Sequence, residues 1–440
     1  MRFSPPMDKN VSPASPGSSG NGTSVPDRQW HLKNDGQTGG TPGVDANVPS
    51  VWSDHNGSGV TIGVVDDGID HTHPDLSLNY NDRLDRDAVA DDADAMAEAG
   101  DNHGTAVAGV VAADGESLGV APGADVTGFR LGFDDDAKLQ HLEQSAAWAT
   151  DIDVANYSLG FPSFFADDFD APAFDELAAN ISDAAADGRD GRGTVMVTAA
   201  GNARTAGDDV NHHNLQNNPY TIAVGALDAN GESAGFSTPG SAVLVSAPGV
   251  DIATADRPGT AGYTSEDHAV VSGTSFAAPI VSGTAALMLD ANPDLGYRDV
   301  QEILAYSARK TDADSAGWQT NGAETFNGGG LTVHGSNGFG LVDAQAAVRL
   351  AETWRGQADM DNLDAASASA AVDAVIPDNT PGGISASLDI QADITIDHVQ
   401  VGLDIAHSFI GDLTVTLTSP DGTESRLISR PGKNPEQTRG

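Results

Sequence analysis

The chain contains no cysteine, which excludes disulfides, thiolate metal sites and thiol nucleophiles. Aromatic residues are few, at 5%. No apolar run approaches the roughly 18 residues a transmembrane helix needs, so no membrane span is expected. Positive charge is scarce: 21 Lys and Arg face 64 Asp and Glu, a net charge of −43, and only five of the cations are Lys. Repulsion by that field argues against nucleic acid or an anionic membrane as a partner. The acids are 53 Asp against 11 Glu, and this Asp excess with little Lys points to a halophilic protein. At 1 M salt the screening length falls to about 3 Å and self-repulsion largely disappears. Residues 1–27 are rich in Pro, Ser, Gly and Asn, with no basic stretch leading into an apolar one. They read as a disordered tail without a legible signal peptide.

From residue 28 to about 350, short β-branched runs alternate with helical patterns. Strands are expected at Thr61–Val65, Val126–Leu131, Ile152–Tyr157, Thr194–Ala199, Tyr220–Ala226 and Val243–Ala247, each apolar enough to be covered on both faces. Helices are expected at His103–Ala113, Ala137–Thr150, Ala171–Asp187 and Ser275–Asp290. Strand-helix alternation predicts an α/β fold, a mostly parallel sheet with helices on both faces. Residues 351–375 read as a linker. From 376 to 440 the pattern becomes all-β. Val399, Val401, Leu403 and Ile405 alternate with other residues, as do Leu413, Val415 and Leu417, before the turn signal Ser419-Pro420-Asp421-Gly422.

Four motifs carry chemistry. Asp66 follows a strand and precedes Asp67 and Gly68. His103 opens His103-Gly104-Thr105-Ala106-Val107-Ala108-Gly109. Asn202 closes Ala199-Ala200-Gly201-Asn202. Ser275 stands in Gly273-Thr274-Ser275-Phe276-Ala277-Ala278-Pro279. Singly, each has an ordinary reading: a turn former, a surface histidine, a Gly-Asn turn, a helix cap. Jointly they supply an acid, a base, an amide donor and a hydroxyl nucleophile in the order Asp, His, Ser, which is one of the known orders of the charge-stabilised nucleophile. Asp66 would orient His103, His103 would take the Ser275 proton, and Asn202 with the Ser275 N–H would meet the oxyanion. Pro279 reads as sitting in the first turns of its helix, where N–H groups lack partners anyway. Ser158, Leu159 and Gly160 follow an expected edge strand and could pair with an extended peptide or protein substrate. No Gly-x-Ser-x-Gly surrounds Ser275, which argues against the α/β-hydrolase arrangement.

These motifs resemble those of the subtilisin-like serine proteases over about 28–350, in the kexin and furin (proprotein convertase) branch. Asp66-Asp67-Gly68 with His73-Pro74-Asp75-Leu76, Asn292-Pro293-Asp294-Leu295 after Ser275, and Gly411-Asp412-Leu413 with Ser419-Pro420-Asp421-Gly422-Thr423 carry the likeness. The last segment resembles part of the P (Homo B) domain, a jelly roll or sandwich. The resemblance implies a serine endopeptidase that is secreted or at the cell surface, and a possible preference for basic residues before the cleaved bond, with Asp67 a candidate ligand for such a residue. It also implies structural calcium, with Asp45, Asp75 and Asp208 as candidate ligands. Two departures stand out: His213 where the branch has an acid in its first pocket, and Thr238 where it has an acidic calcium ligand. A protease-fold binding protein without turnover is the alternative.

Overall fold

A computed structural model describes the backbone of residues 12–13, and residues 28–133, 137–322, 330–377 and 379–432. Most of the expected tail over 1–27 therefore lies outside the described residues. In chain order the strands are β1 (Ser12–Pro13), β2 (Thr61–Asp66), β3 (Arg86–Asp87), β4 (Asp125–Arg130), β5 (Val154–Tyr157), β6 (Val195–Ala199), β7 (Thr221–Leu227), β8 (Val243–Pro248), β9 (Ile252–Ala255), β10 (His268–Val271), β11 (Trp318–Thr320), β12 (Thr332–His334), β13 (Thr414–Thr418) and β14 (Glu424–Ser429). The helices are α1 (His103–Ala112), α2 (Lys138–Trp148), α3 (Asp175–Gly191), α4 (Asn214–Asn217), α5 (Thr274–Ala291), α6 (Tyr297–Ser307) and α7 (Ala344–Ala351).

Seven strands form one sheet in the order β3-β4-β2-β5-β6-β7-β8, with every pairing parallel. This is the α/β architecture the alternation predicts. Parallel strands are joined through crossovers that lay helices on the faces, so both faces of the strands are apolar. The register shows the two layers. Phe129 of β4, Val65 of β2 and Tyr157 of β5 stand side by side, so Asn156, one residue earlier in β5, points the other way. Phe129 meets Trp148 of α2, with ring centroids 5.6 Å apart. Asn156 meets Ser282 of α5 at 2.8 Å. The second face is covered mainly by α5, which is buried from Thr274 through Leu289.

Two expectations need correction. β5 is not an edge strand, because β2 and β6 flank it over Val154–Tyr157. Any peptide pairing must therefore begin past its end, at Ser158–Gly160. The alternation from Val399 to Ile405 forms no strand. Its backbone has no neighbouring strand among the described residues, and alternation without a partner ladder makes no sheet. The C-terminal β structure is the antiparallel hairpin β13-β14, which touches the larger body where Asn211 Nδ2 donates to the Arg426 and Leu427 carbonyls at 3.0 and 3.1 Å.

Candidate active site

β2 ends at Asp66, and the chain turns at Gly68, whose φ of +115° is strained for any residue with a Cβ. A Cβ on Gly104 would collide with the Gly68 carbonyl oxygen, so α1 starts against this turn only because glycine stands there. That approach sets His103, the first residue of α1, beside the strand end. Its Nδ1 lies 2.8 and 2.9 Å from the two Asp66 oxygens, and the residues are 1% and 0% exposed. A carboxylate only accepts, so Nδ1 carries the proton, and Nε2 is the basic nitrogen of the neutral ring.

Asp67 faces elsewhere. Its carboxylate accepts from the backbone N–H groups of Asn102, His103 and Gly104 at 3.1, 3.1 and 2.7 Å. It therefore neutralises the partial positive charge at the start of α1. Burial, then the charge of Asp66, push its pKa up to about 7. Expected to receive a basic substrate side chain, Asp67 is instead occupied by its own helix.

The candidate nucleophile stands at the start of α5. The α5 N-cap is Gly273 and no side chain caps the helix, so Ser275 does not serve as a cap. Thr274 N and Oγ1 both donate to Asn202 Oδ1 at 3.0 Å. A backbone N–H can only donate, and this fixes which end of the Asn202 amide is oxygen. Its Nδ2 then faces away, buried and without a hydrogen-bond partner among the described residues, as is Ser275 Oγ. Phe276, the next residue, has its ring centroid 5.5 Å from that of His103. Asp66 thus holds His103, Asn202 holds Thr274 next to Ser275, and the ring of Phe276 on its other side lies against His103.

Ser158 is fully buried, and its Oγ donates to the Ser275 carbonyl at 2.8 Å. The Leu159 carbonyl accepts from Gln216 Nε2 at 3.3 Å, whereas Gly160 is partly exposed. Pro279 lies deeper in α5 than the sequence reading supposes. It is the sixth helical residue of the Thr274–Ala291 span, so its absent N–H is one that would have bonded to the Ser275 carbonyl.

Residues 57–340 match the subtilase family, Peptidase S8. The chain belongs to the subtilase family. Residues 396–439 match the proprotein convertase P-domain. Neuroendocrine convertase 2 of Rattus norvegicus is 31% identical over 438 residues, covering 92% of this chain and 64% of the relative. PC3-like endoprotease variant B of Hydra vulgaris is 32% identical over 91% of this chain and 57% of its own length. The chain thus spans less than two thirds of these curated relatives. The crystal structure of a serine protease of Aeromonas sobria superposes with a TM-score of 0.81 at 28% identity, covering 98% of this chain and 86% of that one.

In this subtilase the acids expected to bind calcium do not fit it. Calcium takes six to eight oxygen ligands, but the groups turned toward these carboxylates are donors. Asp75 accepts from Glu116 N, Ser117 N, Ser117 Oγ and His268 Nε2 at 2.9, 2.9, 2.6 and 2.8 Å, so the 114–118 loop presents N–H groups where calcium needs oxygens. Burial raises the Asp75 pKa, but the bonds from His268 and Ser117 outweigh it and hold the carboxyl well below its usual range. Asp45 accepts from Asn34 N and Asn47 N at 2.7 and 2.9 Å and lies 3.7 Å from Arg309 Nη2. Asp208 lies 3.3 Å from His212 and 3.0 Å from His213. Each acid already faces a cationic or cation-forming side chain of the protein. One further cluster, His71, Asp85 and Asp94, brings metal-binding residue types within 4.8 Å of one another. The Asp85 oxygens there accept from Tyr80, Thr127, Gly128 and Ala95.

His213 also bridges to Asp167, 3.4 Å from its Nδ1. Burial lowers its pKa, but Asp167 and Asp208 together raise it to about 9. Sequence reasoning missed Gln216, Asn156 and Ser282, each a common residue in a common setting, and gave no role to Thr274, which stands inside the Ser275 motif.

Proposed function

We propose that this subtilase is a serine endopeptidase. The observation that carries the reading is the two-oxygen grip of Asp66 on His103 Nδ1, at 2.8 and 2.9 Å, which leaves Nε2 as the base beside α5. His103 removes the proton from Ser275 Oγ as that oxygen attacks the scissile carbonyl carbon. Asp66 steadies the imidazolium that forms. The carbonyl oxygen becomes an oxyanion, met by Asn202 Nδ2 and the Ser275 N–H at the positive end of α5. His103 returns the proton to the leaving amine and the C–N bond breaks, leaving an acyl-enzyme. Water then repeats the sequence, with His103 again the base, and releases the second product and Ser275.

Peptide or protein substrate approaches past the end of β5, at Ser158–Gly160, where the sheet pairing stops. Asp67, the acid expected to meet a basic substrate residue, is turned toward the N–H groups of α1. The division into a catalytic unit (28–350), a linker (351–375) and a C-terminal β unit (376–440) fits the two family matches, over 57–340 and 396–439. Among the described residues no helix is long and apolar enough to cross a membrane, and the family likeness favours extracytoplasmic action.

The test uses the full chain in molar salt, a fluorophosphonate probe and an unfolded protein substrate. Wild type is expected to be labelled once, at Ser275, and to cleave, and Ser275→Ala to do neither. Cleavage by Ser275→Ala at the wild-type rate would remove the proposal. A folded wild type that neither labels nor cleaves would favour the silent binding protein.

A further inference from the structure

Helix α5 carries a defect directly behind its nucleophile. In an α-helix the carbonyl of residue i accepts from the N–H of residue i+4, so Ser275 should be served by residue 279. That residue is proline, which has no N–H to give. The Ser275 carbonyl instead accepts from the hydroxyl of Ser158, on the segment that leaves β5, at 2.8 Å. The hydroxyl is aimed by a chain of bonds running one way. Ser282 Oγ, a turn further along α5, donates to Asn156 Oδ1 at 2.8 Å. Asn156 Nδ2 donates to Ser158 Oγ at 2.9 Å, which leaves the single Ser158 proton for the Ser275 carbonyl. Asn156, Ser158, Ser275 and Ser282 are each 0% exposed, so water does not compete for these bonds. On the other side, Asn202 Oδ1 grips Thr274 through N and Oγ1. The nucleophile is clamped from both directions.

We propose that Ser158 is a positioning residue for Ser275. Its hydroxyl stands in for the amide donor that Pro279 lacks, fixes the peptide plane following Ser275, and so holds Oγ in the geometry that attack on a carbonyl requires. Asn156 and Ser282 set the direction of that hydroxyl. This assigns the Ser158 side chain to the enzyme's own helix and leaves only the backbone of 158–160 for substrate. The inference rests on the serine-endopeptidase reading.

The discriminating experiment is a double-variant cycle. Ser158→Ala removes the substitute donor, and Pro279→Ala supplies the missing N–H. The kcat and KM for a peptide substrate, the rate constant for fluorophosphonate labelling of Ser275 and the melting temperature are measured for wild type, both single variants and the double variant. A small misplacement of a reacting group can cost about 10²-fold, so Ser158→Ala should lose kcat and labelling rate on that scale with little change in KM. Pro279→Ala in the Ser158→Ala background should recover at least about a tenth of the wild-type rate. Wild-type kcat in Ser158→Ala overturns the proposal. So does a loss that Pro279→Ala does not repair in a folded double variant, and so does a rise in KM without a fall in kcat, which would make Ser158 a substrate contact. If Ser158→Ala does not fold, Ser282→Ala, two bonds further back through Asn156, is taken through the same cycle and judged by the same recovery. Absence of labelling in folded wild type would instead sink the endopeptidase reading itself.

Discussion

In the proposed mechanism Asp66 acts only through the ring of His103. With both oxygens within 2.9 Å of His103 Nδ1, it sets the tautomer of the neutral ring before the proton moves and opposes the imidazolium charge afterwards. Asp66→Asn keeps the shape but can present an NH2 to Nδ1 and reverse the tautomer. We expect kcat to fall about 10⁴-fold, as for the same change in a serine-protease triad, with a melting temperature close to wild type. A fall in KM-dependent terms alone, measured by steady-state kinetics, would contradict this. Asn202→Ala removes one oxyanion donor and should lower kcat about 10²- to 10³-fold, the magnitude established for one such donor of a subtilisin. The four residues proposed to react lie in motifs that the sequence shows because they also have a structural job: Gly68 and Gly104 permit the close approach that seats His103. Asp67 was misread because adjacent acids in a sequence do not reveal direction. The side chain after Asp66 points to the other side of the strand end, where three N–H groups of α1 await an acceptor.

Between elements, the protein's own cations tie loops that lie far apart in the chain. His268 on β10 reaches Asp75 at 2.8 Å, and His213 sits between Asp167 and Asp208. Burial lowers the His268 pKa, but Asp75 and Asp267 raise it to about 9, and His213 is likewise raised to about 9, from an ordinary value of 6.5. A raised pKa means that the folded state holds the proton more tightly. These pairs therefore stabilise fully below about pH 6.5, and the contribution is lost as pH rises through about 9. Thermal melts across that range should show His268→Gln melting below wild type at neutral pH, with the gap closing once the wild-type ring is neutral. A gap that persists unchanged above pH 9 would refute the ionic account. Because His268 and Ser117 hold the Asp75 carboxylate, a chelator should shift the melting temperatures of wild type and Asp75→Asn equally, and a drop confined to wild type would restore a structural metal at Asp75. Elements were legible wherever an apolar run was long enough to be covered on both faces, as in β2 and β7. Position within the sheet was not, because β5 looks the same in sequence whether it has one neighbour or two. Nor was the failure of 399–405 to form a strand, since alternation reports a face but not a partner.

At the scale of the whole molecule the governing quantity is the net charge of −43. Local arrangements show how it works against the fold in dilute buffer. On α3, Asp183 and Asp187 are both exposed and stand four residues apart, on one face of the helix, where like charges repel. Asp187 also precedes the break at Gly188, so it lies at the negative end of the regular helix, where an acid is again unfavourable. Salt relieves both effects, since the screening length falls from about 10 Å at 0.1 M to about 3 Å at 1 M. The melting temperature should therefore rise steadily with KCl over that range. Asp187→Lys converts the repulsive pair into an acid-to-base pair of the favourable order and places a cation at the helix end. In dilute buffer it should stabilise by about 0.5–1 kcal/mol, from one pair and one terminal charge, and the gain should shrink in molar salt. Urea melts of wild type and Asp187→Lys at both salt concentrations read this directly. Equal gains at low and high salt would mean that helix propensity, not charge, was responsible. A wild type that melts lower in molar KCl than in dilute buffer would show that something other than self-repulsion dominates its stability.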